Sequence, residues 1–230
     1  MSTSAQDGNA SVGEICEEDD ALSGDEVDGA IRRLADAVSL TTDESVVEEL
    51  VLALGRLRDP RAQEPLACLS FHSGPGVRRA IAESLPMAMI VPEESSTGVD
   101  ALLRLFEVED SEVRDWAVCS LGRTLAATGG GVPAPYDTAL IRAALGERVE
   151  DEDPATRAEA CAGLALRHIV EVVEPLRREL ASPTLGRVPV IAAEASGSTE
   201  LLESLVALRS WWIRDPELLE RAIAACSPRG

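Results

Sequence analysis

The stretch Val113-Arg114-Asp115-Trp116-Ala117-Val118-Cys119-Ser120-Leu121-Gly122-Arg123 reads as one amphipathic helix, and its echoes elsewhere decide the fold. Thr156-Arg157-Ala158-Glu159-Ala160-Cys161-Ala162-Gly163-Leu164 repeats its Arg, the Ala three later and the Leu seven later. Val77-Arg78 leads at the same intervals to Ile81 and Leu85, and Val46-Val47 leads to Leu50 and Leu54. With Val47, Arg78, Arg114 and Arg157 as references, positions −1, +3 and +7 are apolar or small in all four copies. That spacing stacks them on one helix face. Four residues before each reference stand Asp43, Gly74, Asp110 and Asp153. An aspartate there accepts from an unpaired backbone N–H and meets the positive end of the helix dipole. Pro154 suits the first helical position.

An apolar helical pattern precedes each copy, at 26–38, 61–70, 99–107 and 137–148, so the repeating unit is helix, turn, helix. The references lie 31, 36 and 43 residues apart, and two further units follow at about 170–197 and 199–226. No segment alternates with a period of two, and only 3% of residues are aromatic while alanine and leucine carry most of the apolar content. These features predict an all-α fold. The first 28 residues hold nine acids and no base. Residues 1–21 lack apolar periodicity and are expected to form a disordered acidic tail, followed by one solenoid domain over 22–230.

Asp-x-x-Val-Arg at 110–114 and Leu-Gly-x-Leu-x-Asp-Pro-Arg-Ala at 54–62 resemble HEAT repeats, closest to the short bacterial kind called phycobilisome-lyase-like. The resemblance covers about 22–226 and departs at Val47, Gly74-Pro75-Gly76, Pro86 and Ser196-Gly197-Ser198. It implies a right-handed α–α superhelix, a HEAT-like (armadillo-like) solenoid of about six helix pairs, with first helices convex and second helices concave. Arg78, Arg114 and Arg157 would then line the inner layer, paired with capping aspartates and turn carbonyls of adjacent units.

The chain of 230 residues carries a net charge of −20, all 21 of its bases being arginine. Such a chain repels phosphate, which argues against nucleic acid and against an anionic membrane surface, and favours a basic protein partner. The cysteines Cys16, Cys68, Cys119, Cys161 and Cys226 are scattered, and His72 and His168 lie 96 residues apart, so no metal site is expected. Reduced thiols in the cytoplasm are the simplest expectation. The acidic turns 107–110 and 150–153 lack the glycine and terminal glutamate of a calcium loop. Gly129-Gly130-Gly131 runs into Val-Pro-Ala-Pro rather than Lys-Ser/Thr, which marks a connector and not a phosphate loop.

No nucleophile stands beside a base in any motif, so neither an enzyme nor a cofactor is expected. The sequence points to a protein-binding scaffold or adaptor, one form of which is an acidic neutraliser of a basic partner. The alternative is a subunit of a lyase or other enzyme that holds a ligand in the concave groove. Helix position nominates Arg79, Glu83, Asp115, Trp116, Glu159 and Arg167 as partner-binding residues. Trp116 replaces a glutamate of two other copies and could anchor a partner or fill an interface. Trp211 and Trp212 read either as a homo-oligomer contact or as a seal over the open C-terminal edge.

Overall fold

A computed structural model describes residues 23–89, 96–126, 132–133 and 136–228. The expected tail over 1–21, Cys16 and the three glycines at 129–131 lie outside the described residues. Twelve α-helices follow one another, with no strand among the described residues. They are α1 (Gly24–Leu40), α2 (Glu44–Arg56), α3 (Gln63–Leu69), α4 (Pro75–Ala88), α5 (Ser96–Leu105) and α6 (Ser111–Gly122). The second half holds α7 (Ala139–Arg148), α8 (Pro154–Ala165), α9 (Val173–Leu180), α10 (Val188–Ser196), α11 (Leu202–Leu208) and α12 (Pro216–Cys226). They form six antiparallel pairs, each odd helix leading into the even one, as the repeat spacing predicts.

The even helices stack directly, α2 on α4, α4 on α6, and so on to α12, whereas the odd helices meet less extensively. The more tightly stacked layer lies on the inside of the curve, so the even helices form the concave face. Close approach there needs small residues. A Cβ on Gly55 would fall 2.7 Å from the Ser84 Cβ, and one on Gly163 would fall 2.8 Å from the Gly122 Cα. The repeated Leu-Gly of α2 and α6 is thus a packing device, with the leucine in the core and the glycine against the next helix. Leu54, Leu85, Leu121 and Leu164, the +7 positions, are all buried in one continuous apolar cluster.

Asp43, Asp110 and Asp153 cap α2, α6 and α8 through bonds from the Ser45, Val113 and Thr156 amides. Gly74 has no side chain to offer, and the His72 Nδ1 accepts from its amide instead. The repeated arginines each curl onto the turn just before their own helix. The Arg78 Nη1 donates to the His72 and Ser73 carbonyls, Arg114 to Val108 and Glu109, and Arg157 to Asp151 and Glu152. The carbonyls therefore belong to the arginine's own unit, a correction to the expected adjacent-unit pattern. The adjacent unit supplies carboxylates: Asp151 to Arg114 at 3.0 and 3.1 Å, and Glu179 to Arg157 at 2.7 Å. Unit three offers Val108 at the place of Asp151, and the buried Arg78 Nε has no hydrogen-bond partner.

Candidate concave groove

The inner face is built from the +1 and neighbouring positions of successive even helices. Arg79 on α4 lies among three carboxylates from three consecutive layers: Glu48 of α2 at 4.0 Å, Glu83 of its own helix at 3.6 Å, and Glu112 of α6 at 3.5 Å. One guanidinium cannot neutralise three acids, so this end of the groove stays negative. One turn further along, Arg123 at the end of α6 binds Glu159 of α8 through two bonds, Nε at 2.8 Å and Nη2 at 2.7 Å. This bidentate geometry holds the Arg123 pKa above its ordinary value. The Arg123 Nη2 also lies 3.3 Å from the Cys119 Sγ, whose thiol burial pushes up to about 11.

Between α6, α8 and the turn leading into α10 opens a cavity of about 290 Å³. Asp115, Glu159 and Glu179 are its carboxylates, and Pro154, Ala158, Leu185, Val188 and Pro189 supply apolar wall. Glu159 and Glu179 are committed to Arg123 and Arg157. Asp115 differs: its Oδ1 is buried without a hydrogen-bond partner. Burial, and then the charges of Glu159 and Asp153, push its carboxyl up to about 6, against a smaller downward pull from Arg123.

Of the six nominated residues, the structure brings Arg79 and Glu83 together at one station, and Asp115 and Glu159 at the next. Trp116 is half-buried and packs against the apolar core, and it does not line the cavity. Arg167 is not on the groove at all. Its side chain is completely buried, and it donates to the Leu121, Gly122, Tyr136 and Gly163 carbonyls, which corrects the expected concave placement. Arg167 sits just past the end of α8, in the turn from unit four to unit five, and its side chain reaches back to the end of α6 in unit three, a direction that helix position does not report. Trp212 is also buried, its indole N–H donating to the Leu185 carbonyl at 3.2 Å, which removes it from any subunit contact. Trp211 beside it remains half exposed.

Glu48, Glu112, Arg123 and Glu179 join the groove without having been nominated. Arg123 carried a signal, the second Leu-Gly-Arg after 54–56. Glu179 carried none, because it reaches the cavity from an odd helix, α9, in a unit whose repeat pattern is irregular. Among the described residues, no three His, Cys, Asp or Glu side chains are placed to hold a metal ion. Nor is any helix there long and apolar enough to cross a membrane.

No protein-family model matches the chain, and no curated protein does either. Solved structures do. An engineered protein superposes with a TM-score of 0.60 at 19% identity, over 85% of this chain and 95% of its own. A designed armadillo repeat protein gives 0.56 at 15% identity, over 88% of this chain and 100% of its own. A second designed armadillo protein, solved in complex with the peptide (KR)4, gives 0.56 at 16% identity with the same coverages. At such identities the likeness concerns the fold, and the fold is that of a HEAT/armadillo-like repeat solenoid.

Proposed function

We propose that this protein is a non-enzymatic scaffold that holds an extended, basic segment of a protein partner along its concave face. The carrying observation is the run of carboxylates on consecutive inner helices, Glu48, Glu83, Glu112, Asp115 and Glu159, which outnumber the cations beside them, Arg79, Arg123 and Arg187. The net charge of −20 extends that field and steers cations toward the groove while repelling nucleic acid. A structural neighbour of the same fold carries the basic peptide (KR)4. Within the fold we assign the short bacterial type of HEAT repeat, on the Asp-x-x-Val-Arg of α6 and the Asp-Pro-Arg-Ala of 59–62. Free thiols at Cys68, Cys119, Cys161 and Cys226 fit a reducing cytoplasm, and Trp211 with Ile213 offers the apolar surface for self-association.

The test is fluorescence anisotropy with labelled octa-arginine and octa-glutamate at two salt concentrations. Binding of the cationic peptide alone, weakened by salt and by the pair Glu83→Arg with Glu112→Arg, supports the scaffold. Equal behaviour of the two peptides overturns it. The second reading, a ligand-holding enzyme subunit, rests on the cavity beside Asp115, whose carboxyl near 6 lies in the range of a general acid or base. Reproducible thermal stabilisation by one small molecule in a metal, nucleotide and tetrapyrrole screen would favour it.

A further inference from the structure

Resting on the scaffold reading, we infer that the cavity at Asp115 is a side-chain pocket that receives one arginine of the basic partner. Three observations converge on it. The cavity lies on the concave face between α6, α8 and the α9–α10 turn, where an extended segment would pass. Its walls combine apolar surface, Pro154, Ala158, Leu185 and Val188, with carboxylate, and the one cation of the lining, Arg187, is ion-paired with Asp215 at 2.6 Å, which suits an aliphatic stem ending in a charge. Finally, the Asp115 carboxylate lines the cavity and, among the described residues, makes no hydrogen bond or ion pair, although every other carboxylate of the cavity already holds an arginine. A guanidinium brings the missing donors in a planar fork and sheds its water more readily than an ammonium, so a pocket of this burial selects arginine over lysine.

Arrival of that cation is coupled to a proton. The charged and titratable groups around Asp115 are Glu112, Cys119 and Arg123 on and after α6, and Asp153 and Glu159 at α8. Glu179 and Arg187 also line the cavity, paired with Arg157 and Asp215. In the free protein Asp115 is half protonated near pH 6, and an incoming guanidinium lowers its pKa, so binding releases the proton to solvent. Affinity is therefore full above pH 7 and falls by up to tenfold per unit below about 6. Neither histidine contributes, since His72 lies in the α3–α4 turn and His168 beyond the end of α8.

The experiment compares octa-arginine with octa-lysine binding by anisotropy from pH 5.0 to 7.5, on the wild type, Asp115→Asn and Glu203→Gln. The last two remove the same single charge, but Glu203 is exposed on α11, away from the cavity. The pocket predicts tenfold or greater loss of octa-arginine affinity in Asp115→Asn at pH 7.5, a flattened pH profile, and little change in Glu203→Gln. It also predicts a preference for octa-arginine over octa-lysine that Asp115→Asn abolishes. Equal losses in the two variants, or an undiminished pH profile in Asp115→Asn, overturn the pocket while leaving the scaffold standing. Equal affinity of the wild type for the two peptides overturns the choice of arginine. No binding of either peptide to the wild type overturns the scaffold and the pocket together.

Discussion

The Ser120 hydroxyl on α6 donates to the Ala82 carbonyl on α4 at 2.7 Å, both fully within the core. Ala82 is four residues before Pro86, which lies inside α4 and has no N–H to return. The proline that breaks the repeat pattern of unit two is thus repaired from unit three, at the +6 position where Ser84 and Gly163 make the neighbouring inter-helix contacts. Ser120→Ala should cost about 1–3 kcal/mol, the desolvation penalty of one buried carbonyl left bare. In a Pro86→Ala background the cost should shrink, because an alanine amide can bond Ala82 within the helix. Urea unfolding of the two single variants and the double variant measures this coupling, and strict additivity would refute it.

Arg167 joins segments that the repeat alone does not connect. Its guanidinium bonds the ends of α6 and α8 to Tyr136, whose hydroxyl in turn reaches the Met89 carbonyl at the end of α4 at 2.7 Å. Burial pushes its pKa down to about 10, offset in part by Asp137. Truncation to alanine leaves several buried carbonyls without donors, so Arg167→Ala should lose roughly 3–5 kcal/mol. Arg167→Lys should recover only part of that, since one ammonium cannot span all four carbonyls. Thermal melts of both variants give the order, and a lysine variant as stable as wild type would contradict the role.

Two glycines should respond oppositely to the same change. Gly163→Ala places a methyl 2.8 Å from the Gly122 Cα and 3.3 Å from its carbonyl carbon, backbone atoms that cannot step aside cheaply. A loss of about 1–3 kcal/mol follows from forcing α6 and α8 apart. Gly146 lies exposed within α7 with nothing within 4 Å of an added Cβ. Gly146→Ala should therefore stabilise by roughly 0.5–1 kcal/mol through helix propensity. Differential scanning calorimetry separates the signs; a stabilised Gly163→Ala would mean that the inner layer is looser than its geometry.

Asp115 and Asp151 make opposite contributions with pH. Asp115 has a folded pKa raised to about 6, so its ionisation opposes folding, and stability is lost as pH rises from its unfolded value toward 6. Asp115→Asn should stabilise the unbound protein at pH 7 by on the order of 1–2 kcal/mol, partial solvent access having screened some of the full shift. The gain should vanish near pH 4. At Asp151 burial raises the pKa, yet the bonds from Arg114, the Asp153 amide and Arg148 outweigh it and hold the carboxyl below its usual range. Its stabilisation is complete above the unfolded value and disappears as pH falls through the folded one. Asp151→Asn should thus cost about 3 kcal/mol or more at pH 7, and progressively less in acid, by chemical denaturation across pH.

The repeat arithmetic alone set out six helix pairs, the approximate spans of the first helices of units one to four, three of the aspartate caps and the leucine core. Each of these depends on residues within one turn of one another, or on a spacing of three and four, and such relationships are written along the chain. The groove was only partly legible. Arg79, Glu83, Asp115 and Glu159 could be placed because they lie on regular helices of well-marked units. Arg167 could not, because a long side chain at a helix end goes where neighbouring units leave acceptors, and the Tyr136, Gly122 and Leu121 carbonyls lie 31 to 46 residues away; for Trp116 and Trp212 the sequence left packing and contact open, and the structure packs both against the core. What the tertiary structure decided was pairing. It matched Glu159 to Arg123 and Glu179 to Arg157, and left Asp115 beside them in the same cavity with a buried oxygen and no donor. Local pattern governs which face a residue occupies, whereas the charge it carries there depends on burial and on partners that only stacking brings near.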